Sequence, residues 1–165
     1  MISFTRTTRR SMLSRRAAFA ILASLAVVGL IGCGGSAAKS GGGGTVDVVL
    51  QEFAVVPSVA SVEHGKVTFN ATNKGPDDPH VLVIFKTDLS VHDLPASAEG
   101  KVDEEGAGLT TVGEIEEFDV GKTGTITLDL AAGRYVLVCN IVQDEPDGTK
   151  ESHYVQGMTV EFTVK

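Results

Sequence analysis

Cys139, His153 and Met158 lie close together near the end of the chain, and His80 heads an apolar run far upstream. One thiolate, two imidazoles and a thioether form a donor set suited to a single copper ion that passes one electron at a time. Sulfur donors favour Cu(I), and imidazole serves both oxidation states. A ligand set that fills every position leaves no open site for a substrate, which favours a carrier over an enzyme. The plain alternative for Cys139 is a buried, inert core thiol.

The elements that must position these residues read as strands. From Val46 onward the apolar residues recur with period two and are rich in β-branched and aromatic types, giving candidate strands at 46–53, 58–63, 66–72, 81–86, 124–130, 134–140 and 158–165. Turn signals stand between them at His64-Gly65, Asn73-Lys74-Gly75-Pro76 and Ala132-Gly133. Many short strands with regular turns predict an antiparallel β-sandwich. The stretch 87–120 is less regular, and within it 112–118 fits either strand or helix. Cys139 closes the core-like run Arg134-Tyr135-Val136-Leu137-Val138, and Gly157 permits a sharp turn just before Met158. His80 follows the turn-rich segment 73–79, whereas His64 and His92 sit in polar surroundings and read as solvated.

The first 32 residues form a different kind of segment. Five arginines (Arg6, Arg9, Arg10, Arg15, Arg16) and no acid precede an apolar run from Ala17 to Gly32, 16 residues that are short for a spanning helix. Leu30-Ile31-Gly32-Cys33 resembles a bacterial lipobox, which implies that residues 1–32 are a lipoprotein signal peptide and that Cys33 becomes a lipidated N-terminus. Two acyl chains anchor stably where one does not. Ser14-Arg15-Arg16 with Phe19 is a loose twin-arginine match. Residues 33–45, with Gly41 to Gly44 uninterrupted, read as a flexible tether with a mean span of roughly 17–21 Å. The expected location is therefore the outer side of the cell membrane, on a lipid anchor. With Cys33 carrying lipid, Cys139 is an unpaired thiol outside the cytoplasm.

Without the leader the chain keeps nine basic residues against 21 acidic, a net charge of −12. Such a surface repels nucleic acid and suits a basic redox partner. With only four histidines and no His-Glu-x-x-His, P-loop or Gly-x-Ser-x-Gly pattern, the chain offers no catalytic constellation.

Several stretches together carry a family resemblance: Asn73 to Val83, Gly133 to Asn140, and His153 through Gly157-Met158 to Val164. They resemble the cupredoxins, most closely the sulfocyanin-like bacterial branch, with its Cys-Asn start and Gly-Met end. Phe85-Lys86-Thr87-Asp88-Leu89 with Leu94-Pro95 is also similar to that branch. The resemblance spans most of 46–165 and implies an all-β Greek-key sandwich with one type 1 copper. It also implies equatorial ligands His80, Cys139 and His153, a weak axial Met158, and a monomer that exchanges electrons with redox partner proteins.

One departure stands out, because relatives place only a few residues between the cysteine and the second histidine and here 13 intervene. Added loop length costs only about 0.6 kcal/mol per doubling. Pro146-Asp147-Gly148 is a turn signal, so the insertion is expected to leave and return as a hairpin. It does not forbid copper, and it also fits a loosened or shielded site or a member that has lost its metal. Two further functions fit the same residues: a copper-delivery module, and a metal-free interaction domain of the same fold.

Overall fold

A computed structural model describes residues 42–165. The segment read as a signal peptide, the expected lipidation site Cys33 and most of the expected tether lie outside the described residues.

Among the described residues eleven strands run in order: β1 (Gly44–Gln51), β2 (Ala54–Pro57), β3 (Ser61–Val62), β4 (Gly65–Asn73), β5 (His80–Lys86), β6 (Thr110–Phe118), β7 (Thr123–Leu130), β8 (Gly133–Val138), β9 (Val142–Asp144), β10 (Lys150–Ser152) and β11 (Thr159–Val164). One sheet has the order β2-β1-β4-β7, a second has β3-β11-β8-β5-β6, and β9 pairs only with β10. The domain is a Greek-key β-sandwich, and among the described residues there is no helix, hence none long and apolar enough to cross a membrane.

The inward residues follow the expected alternation. Val46, Val48 and Leu50 of β1 and Val67, Phe69 and Ala71 of β4 point inward, and Phe69 meets Phe162 of β11 edge-on at 5.6 Å between ring centres. Strand β5 is buried almost throughout, as a central strand covered on both faces must be. The long connection from β5 to β6 adds Leu94 and Val102 to the core.

Three details differ from the sequence reading. The sandwich is mixed rather than antiparallel, because β1 pairs parallel with β4 and β3 parallel with β11. A period of two is common to both kinds of pairing, so it carries no information on strand direction. The stretch read as one strand over 58–63 shortens to Ser61–Val62, and a strand over 54–57 is not expected from the sequence. Ala54–Pro57 pairs with β1, and the chain then changes sheet so that Ser61–Val62 lies beside β11. Strand β1 also begins at Gly44, with the preceding Gly43 tied to His64 O at 3.1 Å. Gly43 is required there: at φ +45° an added Cβ would lie 2.0 Å from Lys66 O. The ambiguous stretch 112–118 is strand, inside β6.

Candidate metal centre

Strand pairing brings the four sequence candidates to one end of the second sheet. β8 runs antiparallel to β5 with Val138 opposite Val83, so Cys139, one step past β8, approaches the start of β5, where His80 stands. β11 is antiparallel to β8 with Thr159 opposite Val138, which sets Met158 against Cys139, and Cys139 N–H donates to Met158 O at 3.0 Å. The insertion is the β9–β10 hairpin, closed by the predicted turn. Asp147 Oδ1 accepts from Thr149 N at 2.9 Å, and Gly148 takes φ +83°. The hairpin returns the chain to the ligand end, where His153 N–H donates to Ile141 O at 3.0 Å. A tight loop follows, in which Met158 N–H donates to His153 O at 2.9 Å and Gly157 takes φ +114°, a backbone conformation suited to glycine.

Three donor atoms converge. Cys139 Sγ lies 3.3 Å from His153 Nδ1 and 3.7 Å from His80 Nδ1, and the two Nδ1 atoms are 3.2 Å apart. His80, Cys139, His153 and Met158 are all 0% exposed. A planar triangle of ligands at about 2.0–2.3 Å from one ion has corners roughly 3.5–3.8 Å apart. The observed triangle needs only a small expansion to surround an ion. The outer nitrogens support the same fit: His80 Nε2 and His153 Nε2 are buried without hydrogen-bond partners, so both rings direct their bonded side inward to the triad. The donor set, one soft sulfur and two imidazoles, fits copper. Met158 is buried beside them, with its backbone tied to both Cys139 and His153. His64 and His92 are exposed and apart from this cluster, as expected.

Burial shapes the chemistry of the metal-free triad. It pushes the Cys139 thiol up to about 11, while hydrogen bonds from the backbone of Val81 and Ile141 pull the other way. Metal binding as thiolate therefore releases a proton. Both imidazoles are held below the ordinary histidine value of 6.5, chiefly by burial. At His80 the neighbouring His153 adds to the effect, while at His153 Asp78 and Glu151 oppose it. As pH falls through about 6.5 the unfolded chain protonates these rings before the folded chain does, so the unfolded state binds more protons and stability declines. The metal-free protein is therefore expected to have a lower urea midpoint at pH 5.5 than at pH 7.5, with the difference reduced in His153→Gln. Equal midpoints at the two pH values would contradict a neutral buried pair.

Several residues of the site were not singled out from the sequence. Asn73, fully buried at the end of β4, holds the loop that delivers His80. Its amide donates to Asp78 O at 2.8 Å and Phe118 O at 3.2 Å, and its Oδ1 accepts from Gly75 N at 2.7 Å. Asn140 ties the start of the Cys139 loop to Val102, accepting from its N–H at 2.7 Å and donating to its carbonyl at 3.0 Å. Phe53 packs edge-on against the His153 ring at 5.5 Å. Glu52 Oε1 lies 3.7 Å from His80 Nε2 and Asp78 Oδ2 lies 3.9 Å from His153 Nε2. A second group of possible ligand atoms, from Asp78, Glu151 and His153, adjoins the triad on this outer side.

The solved structures similar to this chain include a dithionite-reduced auracyanin from the photosynthetic bacterium Roseiflexus castenholzii. It matches at a TM-score of 0.50 and 20% identity, over 73% of this chain and 96% of that one. Auracyanin A, a "blue" copper protein from Chloroflexus aurantiacus, gives a TM-score of 0.49 and 18% identity, over 74% of this chain and all of that one. No family model and no curated protein matches the sequence. The fold is that of a cupredoxin.

Proposed function

We propose that this protein is a single-electron carrier in which His80 Nδ1, Cys139 Sγ and His153 Nδ1 would hold one copper ion, with Met158 as a fourth, weaker donor. The observation that supports this most strongly is the convergence of those three atoms, 3.2–3.7 Å apart and fully buried, at the end of a rigid sandwich. When bound, copper supplies a one-electron couple between Cu(II) and Cu(I).

The rest is the work of the chain. The three donors stand at strand ends and are tied by backbone hydrogen bonds, so they hold one compromise geometry for both oxidation states. Burial keeps water from the ion and leaves no position for a substrate. The expected setting is outside the cytoplasm on a lipid anchor at Cys33, and the net charge of −12 without the leader suits a basic redox partner that docks as a separate protein.

Titration with Cu(II) is expected to load one ion per chain and produce an intense blue colour, bleached by a one-electron reductant and restored by reoxidation without loss of copper. Failure to take up copper would overturn the reading. Release of the ion to an apo-acceptor on reduction would point to copper delivery instead. Met158→Leu is expected to keep the metal and raise the reduction potential, because the thioether donor is lost. An unchanged potential would remove Met158 from the ligand set.

A further inference from the structure

We infer that Glu52 and Asp78 are positioning residues for the two imidazoles, each carboxylate fixing the proton on the outer nitrogen of one ring and biasing a bound copper toward Cu(II). The inference rests on the reading above, in which Nδ1 of each ring faces the ion. A neutral imidazole that presents the Nδ1 lone pair to a metal carries its hydrogen on Nε2. Both Nε2 atoms are buried and lack a hydrogen-bond partner, and each has a carboxylate nearest to it, Glu52 at 3.7 Å from His80 and Asp78 at 3.9 Å from His153, with Glu151 also within 4.8 Å on the His153 side. Carboxylates behind metal-bound histidines orient the ring and make it a stronger donor.

Each carboxylate is itself held. Glu52 Oε1 accepts from the backbone N–H of Asp77 at 3.2 Å and of Asp78 at 2.7 Å, while its Oε2 is buried without a partner. That free acceptor oxygen and the unpaired His80 nitrogen belong to neighbouring groups in the same dry region. Gln143 of β9 donates to Asp78 Oδ1 at 2.9 Å, which leaves Oδ2 for His153. Gln143 lies within the long segment between Cys139 and His153, so the extra chain length supplies a clamp for the second carboxylate. Two fixed negative charges beside the rings favour the more positive oxidation state, and a dry setting strengthens the effect. Glu52, at 10% side-chain exposure against 21% for Asp78, should act more strongly.

The test is Glu52→Gln, which keeps an oxygen for the Asp77 and Asp78 N–H groups, removes the charge and turns the second oxygen into an amide NH2. The ratio of Cu(II) to Cu(I) affinity is expected to fall about tenfold, equivalent to a rise in potential of about 59 mV for one electron. Asp78→Asn and Gln143→Ala are expected to move the ratio in the same direction by less. A merely structural role would weaken both oxidation states alike, so a ratio within twofold of wild type in Glu52→Gln overturns the inference. A second readout needs no metal: long-range proton–nitrogen NMR of the metal-free protein should find His80 protonated at Nε2, with the Nδ1–H form increasing in Glu52→Gln. If the wild type takes no copper, the electron-carrier reading fails, and identical tautomer populations in the two proteins would overturn the pairing independently.

Discussion

Cys139→Ser is expected to abolish the intense visible absorption of the copper-loaded protein. Copper affinity should fall by well over the roughly 10–100-fold that loss of an outer hydrogen-bond partner to a ligand costs. The sulfur is the one soft donor of the triad, 3.3 and 3.7 Å from the two imidazole nitrogens, and only a thiolate supplies the charge and polarisability that suit Cu(I). A serine hydroxyl remains protonated and neutral, so two neutral imidazoles and a thioether are left to hold the ion with no negative donor to offset its charge. The fold should survive the change. The smaller hydroxyl occupies the same pocket, faces the same His153 Nδ1, and can both donate and accept a hydrogen bond there. Absorption spectra and Cu(I) competition titrations of the two proteins provide the check. A Cys139→Ser protein that stays blue with Cu(II) would remove the sulfur from the site.

Asn73→Ala is expected to cost about 2–4 kcal/mol, a large share of the roughly 5–15 kcal/mol that holds a domain folded. The side chain is fully buried, and its removal leaves two carbonyls, of Asp78 and Phe118, and the N–H of Gly75 without their present partners. For a domain of this size the melting temperature should drop by roughly 10–15 °C. The loss should also reach the metal, because the loop that Asn73 braces ends at His80 and contains Asp78. Thermal unfolding followed by circular dichroism, with and without copper, measures both effects. A shift of only a degree or two would show that the loop is braced elsewhere.

The sequence revealed most where local pattern and burial coincide. Strands β4, β5, β8 and β11 alternate, or are continuously apolar, because one or both of their faces are covered, and their expected bounds lie within a few residues of those observed. The insertion was readable as a hairpin because Pro146-Asp147-Gly148 encodes its own turn. The parallel pairings of β1 with β4 and β3 with β11 were not readable, since they depend on which distant segment arrives alongside. Among the candidate donors, His80 and Cys139 stood out by residue type and by their place at strand ends, and His153 by lying in the loop that begins at the cysteine. Glu52 and Asp78 did not, because an acidic chain is full of carboxylates. Glu52 reaches its position through tertiary contacts at the end of β1, where Glu52 N–H donates to Gly75 O at 3.3 Å and Lys74 N–H donates to Leu50 O at 2.8 Å. Nothing in its spacing from His80 signals that arrangement.

The most direct measurement is a crystal structure of the copper-loaded protein with anomalous scattering recorded at the copper edge. The account predicts one peak per chain, bonded to Nδ1 of residues 80 and 153 and to Sγ of residue 139. A peak lying instead among Asp78, Glu151 and His153 Nε2, with the thiol left free, would contradict it.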